Sequence, residues 1–377
     1  MIVTALVNRK LIYLYFIIFS VVLSLYTFQR PMHNFDMIFY SSLILKMDGL
    51  EESTIHNKMF NDIIPNNIRP DLKKNYLDSE QRQKVSNDLE YFKSHFPFYE
   101  IRPGYIFISF LLYKIGLNLF LSTYILSLFS VILGIFLVVR SINKRIHNSY
   151  LLYLIPIFLW MINITELVRI STPDPFIFLM ICWFFSVFIK RNLTNSIFLI
   201  SPLFVFFRTD MIILSLVLFF YSLFSRREIF KSSISFGLAL IIYLTINSLY
   251  ENYGWETIIR YTFIEKIGDF SSYSVSVEEY LTIIGMGLKK LWSKSFLTNL
   301  LFLLANIYLF NFLRMKKMIK STIFGLLIIT ISYISIHFIL FPVPWVRFFQ
   351  GFYLINFSVF LILLDKFIIK SISDSTK

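Results

Sequence analysis

The chain has one cysteine in 377 residues, Cys182, and it lies inside an apolar run. No intramolecular disulfide and no cysteine-based zinc cluster can form. Charge is also scarce. Asp, Glu, Lys and Arg make up 16% of the residues, against about 25% in a water-soluble domain. There is no P-loop, no Gly-x-Gly-x-x-Gly, no His-Glu-x-x-His and no Gly-x-Ser-x-Gly. Those absences remove the common nucleotide-binding, zinc-protease and serine-hydrolase architectures. The five histidines (33, 56, 95, 147 and 337) are scattered, and no repeat with a period of about 20–50 residues marks a solenoid or propeller.

What the chain has in quantity is apolar surface. Hydrophobic residues reach 56%, with 44 Phe and 22 Tyr, a usage that suits lipid-facing surfaces and interfacial belts. The expected class is an all-α polytopic membrane protein, with 1–377 forming one integral membrane domain. The net charge of +13 would raise the question of nucleic acid in a soluble protein. Here Lys and Arg fall in short connections between apolar runs, where they orient a membrane protein. Membrane lipids are expected partners and nucleic acid is not. The first apolar run begins with Arg9 and Lys10 and has no small-residue cleavage site after it, so it reads as a retained span.

A spanning helix needs roughly 20 apolar residues. Ten segments qualify as expected spans: about 11–29, 119–139, 149–164, 174–189, 192–207, 210–225, 232–250, 295–313, 320–341 and 345–365. The groups Arg9/Lys10, Lys144/Arg145, Lys190/Arg191, Arg226/Arg227, Arg314/Lys316/Lys317 and Lys366/Lys370 then face the cytoplasm, as do both termini. The alternation closes if 103–118, with Pro103, Gly104 and Lys114, is a re-entrant or interfacial helix with Tyr105 and Lys114 near headgroups. The other side receives two long polar connections, 30–103 and 251–294. Richness in Ile, Phe, Lys and Asn fits an AT-rich bacterial genome and a bacterial cytoplasmic membrane.

Charges at the ends of spans are costly unless they have partners or a use, and on this topology several converge on the outer side. His33 and Asp36 follow the first span, ahead of a run that reads as a helix lying along the membrane. Glu100-Ile101-Arg102-Pro103-Gly104-Tyr105 puts an arginine before a proline, where the backbone is extended. Glu166, Arg169 and Ser171-Thr172-Pro173-Asp174-Pro175 precede another span. Phe207-Arg208-Thr209-Asp210 sits between two apolar runs with no room for a long loop, and Arg347 follows Pro342-Val343-Pro344-Trp345-Val346. The plain alternatives are helix capping for Asp36 and Asp174, a pair with Glu100 for Arg102, and apolar packing for His337.

In their order along the chain these pieces resemble the polytopic C-type glycosyltransferases (GT-C class), which use polyprenyl-phosphate-linked sugars: mannosyl-, arabinosyl- and glucosyltransferase-like membrane enzymes. The resemblance covers most of the chain. It comprises an acid after the first span (Asp36), a long outer loop, Arg-Pro-Gly-Tyr opening a helix that ends Tyr-Lys-Ile-Gly (113–116), Ser-Thr-Pro-Asp-Pro (171–175), Phe-Arg-Thr-Asp (207–210) where relatives commonly carry Arg-Pro-Glu or Arg-Pro-Asp, and Trp345-Val346-Arg347-Phe348-Phe349 near the end. It implies that Asp36 is the catalytic base. It assigns the lipid phosphate to Arg208, Arg347 and Arg102, and orienting roles to His33, Glu166, Arg169, Asp174 and Asp210. The familiar adjacent acid pair is missing, because Met37 follows Asp36. No cofactor is assigned with certainty, and a divalent metal is left open.

The chemistry implied is transfer of a sugar from a polyprenyl-phosphate donor to a glycan or lipid acceptor on the outer, periplasmic face, in surface-polysaccharide or lipopolysaccharide synthesis. A base takes the acceptor's hydroxyl proton, and arginines stabilise the leaving phosphate. Three other functions fit parts of the sequence. An O-antigen-type polymerase would use basic residues of 251–294 (Arg260, Lys266, Lys289, Lys290). A lipid-linked-sugar transporter or flippase would show inverted repeats and Gly/Pro-broken helices, and a non-catalytic assembly subunit would tolerate loss of its outer acids.

Overall fold

The computed structural model describes residues 2–68, 79–250, 252–264, 267, 270, 274–313, 322–343 and 345–375. Lys266, Arg314, Lys316, Lys317 and Pro344, and the side chain of Arg9, lie outside the described residues. Among the described residues the chain is helix and connection, with no strand. That follows from the apolar runs, because backbone polar groups in hydrocarbon must be satisfied within their own segment.

The helices run in order as α1 (Ile2–Gln29), α2 (Phe35–Met47), α3 (Pro103–Lys114), α4 (Leu119–Asn143), α5 (Leu154–Met161), α6 (Asp174–Arg191), α7 (Asn195–Phe207), α8 (Ile212–Ser225), α9 (Ile229–Leu249), α10 (Gly254–Phe263), α11 (Val277–Lys290), α12 (Lys294–Phe312), α13 (Thr322–Leu340) and α14 (Gln350–Ser375). Short helices, among them Glu52–Lys58, Glu80–Asn87, Leu89–Lys93 and Pro97–Glu100, lie between α2 and α3. Six helices are long and apolar enough to cross a membrane: α1, α4, α9, α12, α13 and α14. This is an α-helical, multi-pass membrane protein. The other four expected spans hold α5, α6, α7 and α8, which are shorter or carry charge at their ends.

Two hydrophobic cores form. The larger is the helix bundle, where α4 packs along α6, α12 along α14, and α13 against both α8 and α14. Its outward residues are apolar as well, including Ile157, Leu199, Leu301 and Leu304, as a lipid-facing surface requires. Polar glue joins α12 to α14. Asn356 Nδ2 donates to Asn299 Oδ1 at 2.9 Å, and Asn306 Nδ2 donates to Asn356 Oδ1 at 2.8 Å, all buried.

The smaller core is a lobe built from the 30–103 connection, α10 and Phe270. At its centre lies α2, which is helical as expected but buried from Met37 through Leu45. It is the spine of the lobe rather than a helix lying on a surface. Aromatic rings fill the space around it. Phe39 stacks on Phe92, His95 and Tyr99, while Phe98 stacks on Tyr261. The second long connection is also helical, holding α10 and α11, the latter opened by a capping box between Ser276 and Glu279.

The helix α3 has 12 residues, a length of about 18 Å, well short of a hydrocarbon core of about 30 Å. Tyr105 is fully buried, edge-on to Tyr40, and donates to Thr123 O. The expectation of Tyr105 at a headgroup is therefore corrected, because its hydroxyl is used inside. Lys114, at the other end of α3, is half exposed and pairs with Asp48. A Cβ on Gly104 would come within 2.7 Å of the Phe206 ring, so glycine lets the start of α3 press on the end of α7. Gly351 does the same for α14 against Ile181 of α6. These two close approaches seat the start of α3 on the end of α7 and the start of α14 on the middle of α6.

Candidate functional site

Each convergent charge is placed by a break in the helical pattern. After α7 the backbone at Arg208 is extended, with φ −159° and ψ 114°, and a 3-10 turn over Thr209–Met211 follows. That single extended residue turns Arg208 inward between two apolar helices. Past α13, a 3-10 turn over Val346–Phe348 carries Arg347. Gln350 locks this region by donating to Ile162 O at 2.6 Å and Asn163 O at 3.1 Å. Asp174 occupies the first turn of α6, where the helix dipole favours an anion. Asp36 occupies the first turn of α2 behind Asn34 at the cap position, and neither acid makes an N-cap hydrogen bond.

The side chains form one connected network. Arg208 Nη1 donates to Asp174 Oδ1 at 2.5 Å and its Nη2 to Asp210 Oδ2 at 2.7 Å. His337 Nε2 lies 2.8 Å from the same Asp210 oxygen. Arg347 stands between two carboxylates, with Nε 3.3 Å from Asp174 Oδ2 and Nη1 3.6 Å from Asp36 Oδ2. Its guanidinium lies over the Trp345 ring, and that of Arg208 over Phe348. The Tyr99 hydroxyl donates to Asp36 Oδ1 at 3.0 Å, and Arg102 Nη1 donates to the Tyr40 hydroxyl at 2.6 Å.

Burial, and then the Asp36 charge, push the Tyr99 phenol well above its usual value, so it stays a donor to that carboxylate. Burial likewise raises Tyr40. For Arg102 burial works against the charge, but Tyr40, Asp174 and Asp36 outweigh it and the guanidinium is held charged more firmly than usual. Three guanidinium groups (Arg102, Arg208, Arg347) thus stand among three carboxylates (Asp36, Asp174, Asp210), and their formal charges cancel.

Exposure divides the network into two tiers. Asp174 and Arg208 are 4% and 7% exposed, whereas Asp36, Asp210 and Arg347 are 26%, 29% and 20% exposed. The first tier is buried, and the second is partly exposed. Three buried polar atoms in this site lack a hydrogen-bond partner among the described residues: Asp210 Oδ1, His337 Nδ1 and Arg347 Nε. The last is near Asp174 but out of line for a hydrogen bond. Natively folded chains rarely leave such atoms unused. The donor set does not suit a divalent cation. Each carboxylate faces a guanidinium, and no three His, Cys, Asp or Glu side chains among the described residues are grouped to hold one.

Of the expected site residues, Asp36, Arg102, Asp174, Arg208, Asp210 and Arg347 come together, and His33, Glu166 and Arg169 do not join them. Glu166 accepts from Asn163 Nδ2. Arg169 donates to Thr165 O and Arg30 O and lies over Tyr26. Together with His33, Arg169 borders a cleft of about 680 Å³ on the other side of the 30–36 segment. Asn34 is the hinge between the two places, accepting from Ser171 N and donating to Asp36.

Sequence reasoning missed Tyr40 and Tyr99 and assigned His337 to packing. The signal for His337 was present, since it is the ionisable side chain within the α13 span, and such residues are usually functional. It does pack, against Tyr333 and Phe349, but one ring nitrogen is committed to Asp210. No family model, curated protein sequence or solved structure matches the chain.

Proposed function

We propose that this protein is a membrane glycosyltransferase that moves a sugar from a polyprenyl-phosphate donor to an acceptor on the outer face of a bacterial cytoplasmic membrane. In this reading the chain crosses the membrane ten times with both termini cytoplasmic, and α3 is re-entrant. The observation that supports it best is the more exposed tier of the charge network, Asp36, Asp210 and Arg347, where Asp210 Oδ1 and Arg347 Nε have no hydrogen-bond partner among the described residues.

The chemistry follows from those groups. The acceptor hydroxyl attacks the anomeric carbon, a new C–O bond forms, and its proton passes to the Asp36 carboxylate, which Tyr99 and Asn34 hold in place. The bond from the anomeric carbon to the phosphate oxygen breaks, and the electron pair leaves on that oxygen. Arg347 meets the growing charge, since a guanidinium fork matches phosphate geometry. Asp174 and Arg208 keep Arg347 aimed, and Asp210 with His337 faces the sugar hydroxyls. A polymerase acting through Arg260 is less well supported, because that guanidinium is tied to Ser274 O and Glu279.

The test is to incubate purified protein in lipid with a panel of polyprenyl-phosphate sugars and follow released polyprenyl phosphate by mass spectrometry. Wild type is expected to release it with one donor, and Asp36→Asn to be slower by about 10²–10⁴-fold. Full turnover by a folded Asp36→Asn variant refutes the assignment of the base. A product ladder in place of a single added sugar identifies a polymerase.

A further inference from the structure

The cleft beside the charge network differs from it in one respect that matters: its arginines have no carboxylate partner among the described residues. Arg30 and Arg169 border it, and neither forms an ion pair with a carboxylate among the described residues. The nearest acid in sequence, Glu166, is engaged by Asn163. Arg169 spends Nε and Nη1 on backbone carbonyls, which fixes its guanidinium plane and leaves Nη2 with no hydrogen bond among the described residues. His33, whose Nδ1 is buried and unpartnered among the described residues, adds a further polar atom at the cleft wall.

The cleft's height is set by the helices that make it. Phe28 is in the last turn of the α1 span and Tyr124 in the second turn of the α4 span, and their rings meet edge-on. The wall is therefore apolar and aromatic toward the membrane and cationic toward the 30–103 connection. A free anion would use only the cationic end, and an uncharged lipid only the aromatic end. A phosphate ester on an isoprenoid or acyl chain uses both.

We infer that this cleft is a second anion site, distinct from the Asp36–Arg347 network, that takes the phosphate of a lipid-anchored substrate. The site rests on the cleft's own geometry. Naming its occupant as the acceptor rests on the proposed sugar transfer, and it makes that acceptor lipid-linked, too.

The test uses full-length protein in nanodiscs of phosphatidylcholine and a water-soluble short-chain isoprenyl phosphate, with the matching isoprenol and inorganic phosphate as controls. The isoprenyl phosphate is expected to bind more tightly than either control. Arg30→Gln, which removes an exposed side chain with no hydrogen bond or ion pair among the described residues, should weaken it about tenfold, and Arg30→Gln with Arg169→Gln further. Asp36→Asn and Arg347→Gln should bind it as wild type does. Equal binding of isoprenol, or of inorganic phosphate, overturns the lipid-phosphate assignment. Loss on Arg347→Gln but not on Arg30→Gln places the anion in the charge network, which refutes this site and leaves the transferase proposal standing. Intact cleft binding in a protein that never releases polyprenyl phosphate does the reverse.

Discussion

The lobe and the bundle are both packed from Phe, Leu and Ile, yet they solve opposite problems. The lobe hides its rings from water and wears its charges outside. Lys46 bridges Glu52 and Glu100, and Lys93 reaches Glu52 and Glu90. The bundle is apolar inside and out, so burial in water does not drive its helices together, and side-chain hydrogen bonds such as the Asn299–Asn356–Asn306 ladder mark its interfaces. The charge network lies where the two regions meet, with Asp36 and Arg102 from the lobe and Asp174, Arg208 and Arg347 from the bundle ends. The lesson is that ionisation is tolerated at this seam because every carboxylate there meets a guanidinium, Asp174 and Asp210 within the bundle and Asp36 of the lobe across the seam at Arg347.

The sharpest way to break that arrangement is to remove the shared counter-charge. Asp174→Ala leaves Arg208 with Asp210 alone and Arg347 with Asp36 alone, three guanidinium groups against two carboxylates. The expected loss is about 3–5 kcal/mol, seen as a large drop in thermal midpoint in detergent. Glu166→Gln, outside the network, should stay within about 0.5 kcal/mol. An equal, small effect of both would show that the seam is not held by charge.

Acidification separates the two regions next. His95 sits inside the lobe's ring cluster with Nδ1 2.8 Å from Tyr91 O, and burial pushes its imidazole down to about 4. An unfolded histidine titrates near 6.5. Between these values the unfolded chain binds a proton that the folded lobe refuses, so stability is full above about pH 6.5 and falls as pH drops toward 4. At pH 5 the loss is about 2 kcal/mol. His95→Phe should remove that part of the acid sensitivity. Hydrogen exchange should show the lobe loosening while α12 and α14 stay protected, and uniform loosening would erase the distinction between the regions.

The smallest effect is expected inside the bundle. Asn356→Leu removes the centre of the asparagine ladder, for a loss of about 1 kcal/mol in thermal unfolding. A loss as large as that of Asp174→Ala would mean the ladder, rather than the seam, carries the tertiary structure.

The sequence patterns made the helices legible, because long apolar runs between basic residues leave the backbone little choice. They also placed Asp36, Arg102, Asp174, Arg208, Asp210 and Arg347 on one face, since each sits at a span end where charge needs a reason. What they left hidden depends on packing. Whether α2 lies on a surface or inside a lobe turns on what the rings of 89–100 and 253–270 cover, and no periodicity in α2 reports that. Tyr99 reads as one aromatic among many until its hydroxyl is seen on Asp36. Glu166 and Arg169 are nearer to Asp174 in sequence than its partners Arg208 and Arg347 are, but Glu166 is held by Asn163, at a left-handed turn (φ 61°), and Arg169 by the carbonyls of Thr165 and Arg30.

The order of the network along the chain has a consequence for synthesis. A chain is made from its N-terminus, so Asp36 and then Asp174 emerge before any arginine that pairs with them in the finished network. Arg208 arrives soon after Asp174 and neutralises it, so that the first half of the bundle can settle with its buried charge already answered. Asp36 must wait for Arg347, which comes only with the last span. The open side of the site is therefore the last part to be assembled, and a ribosome stalled before α14 would leave a settled first half of the bundle that still lacks its chemistry.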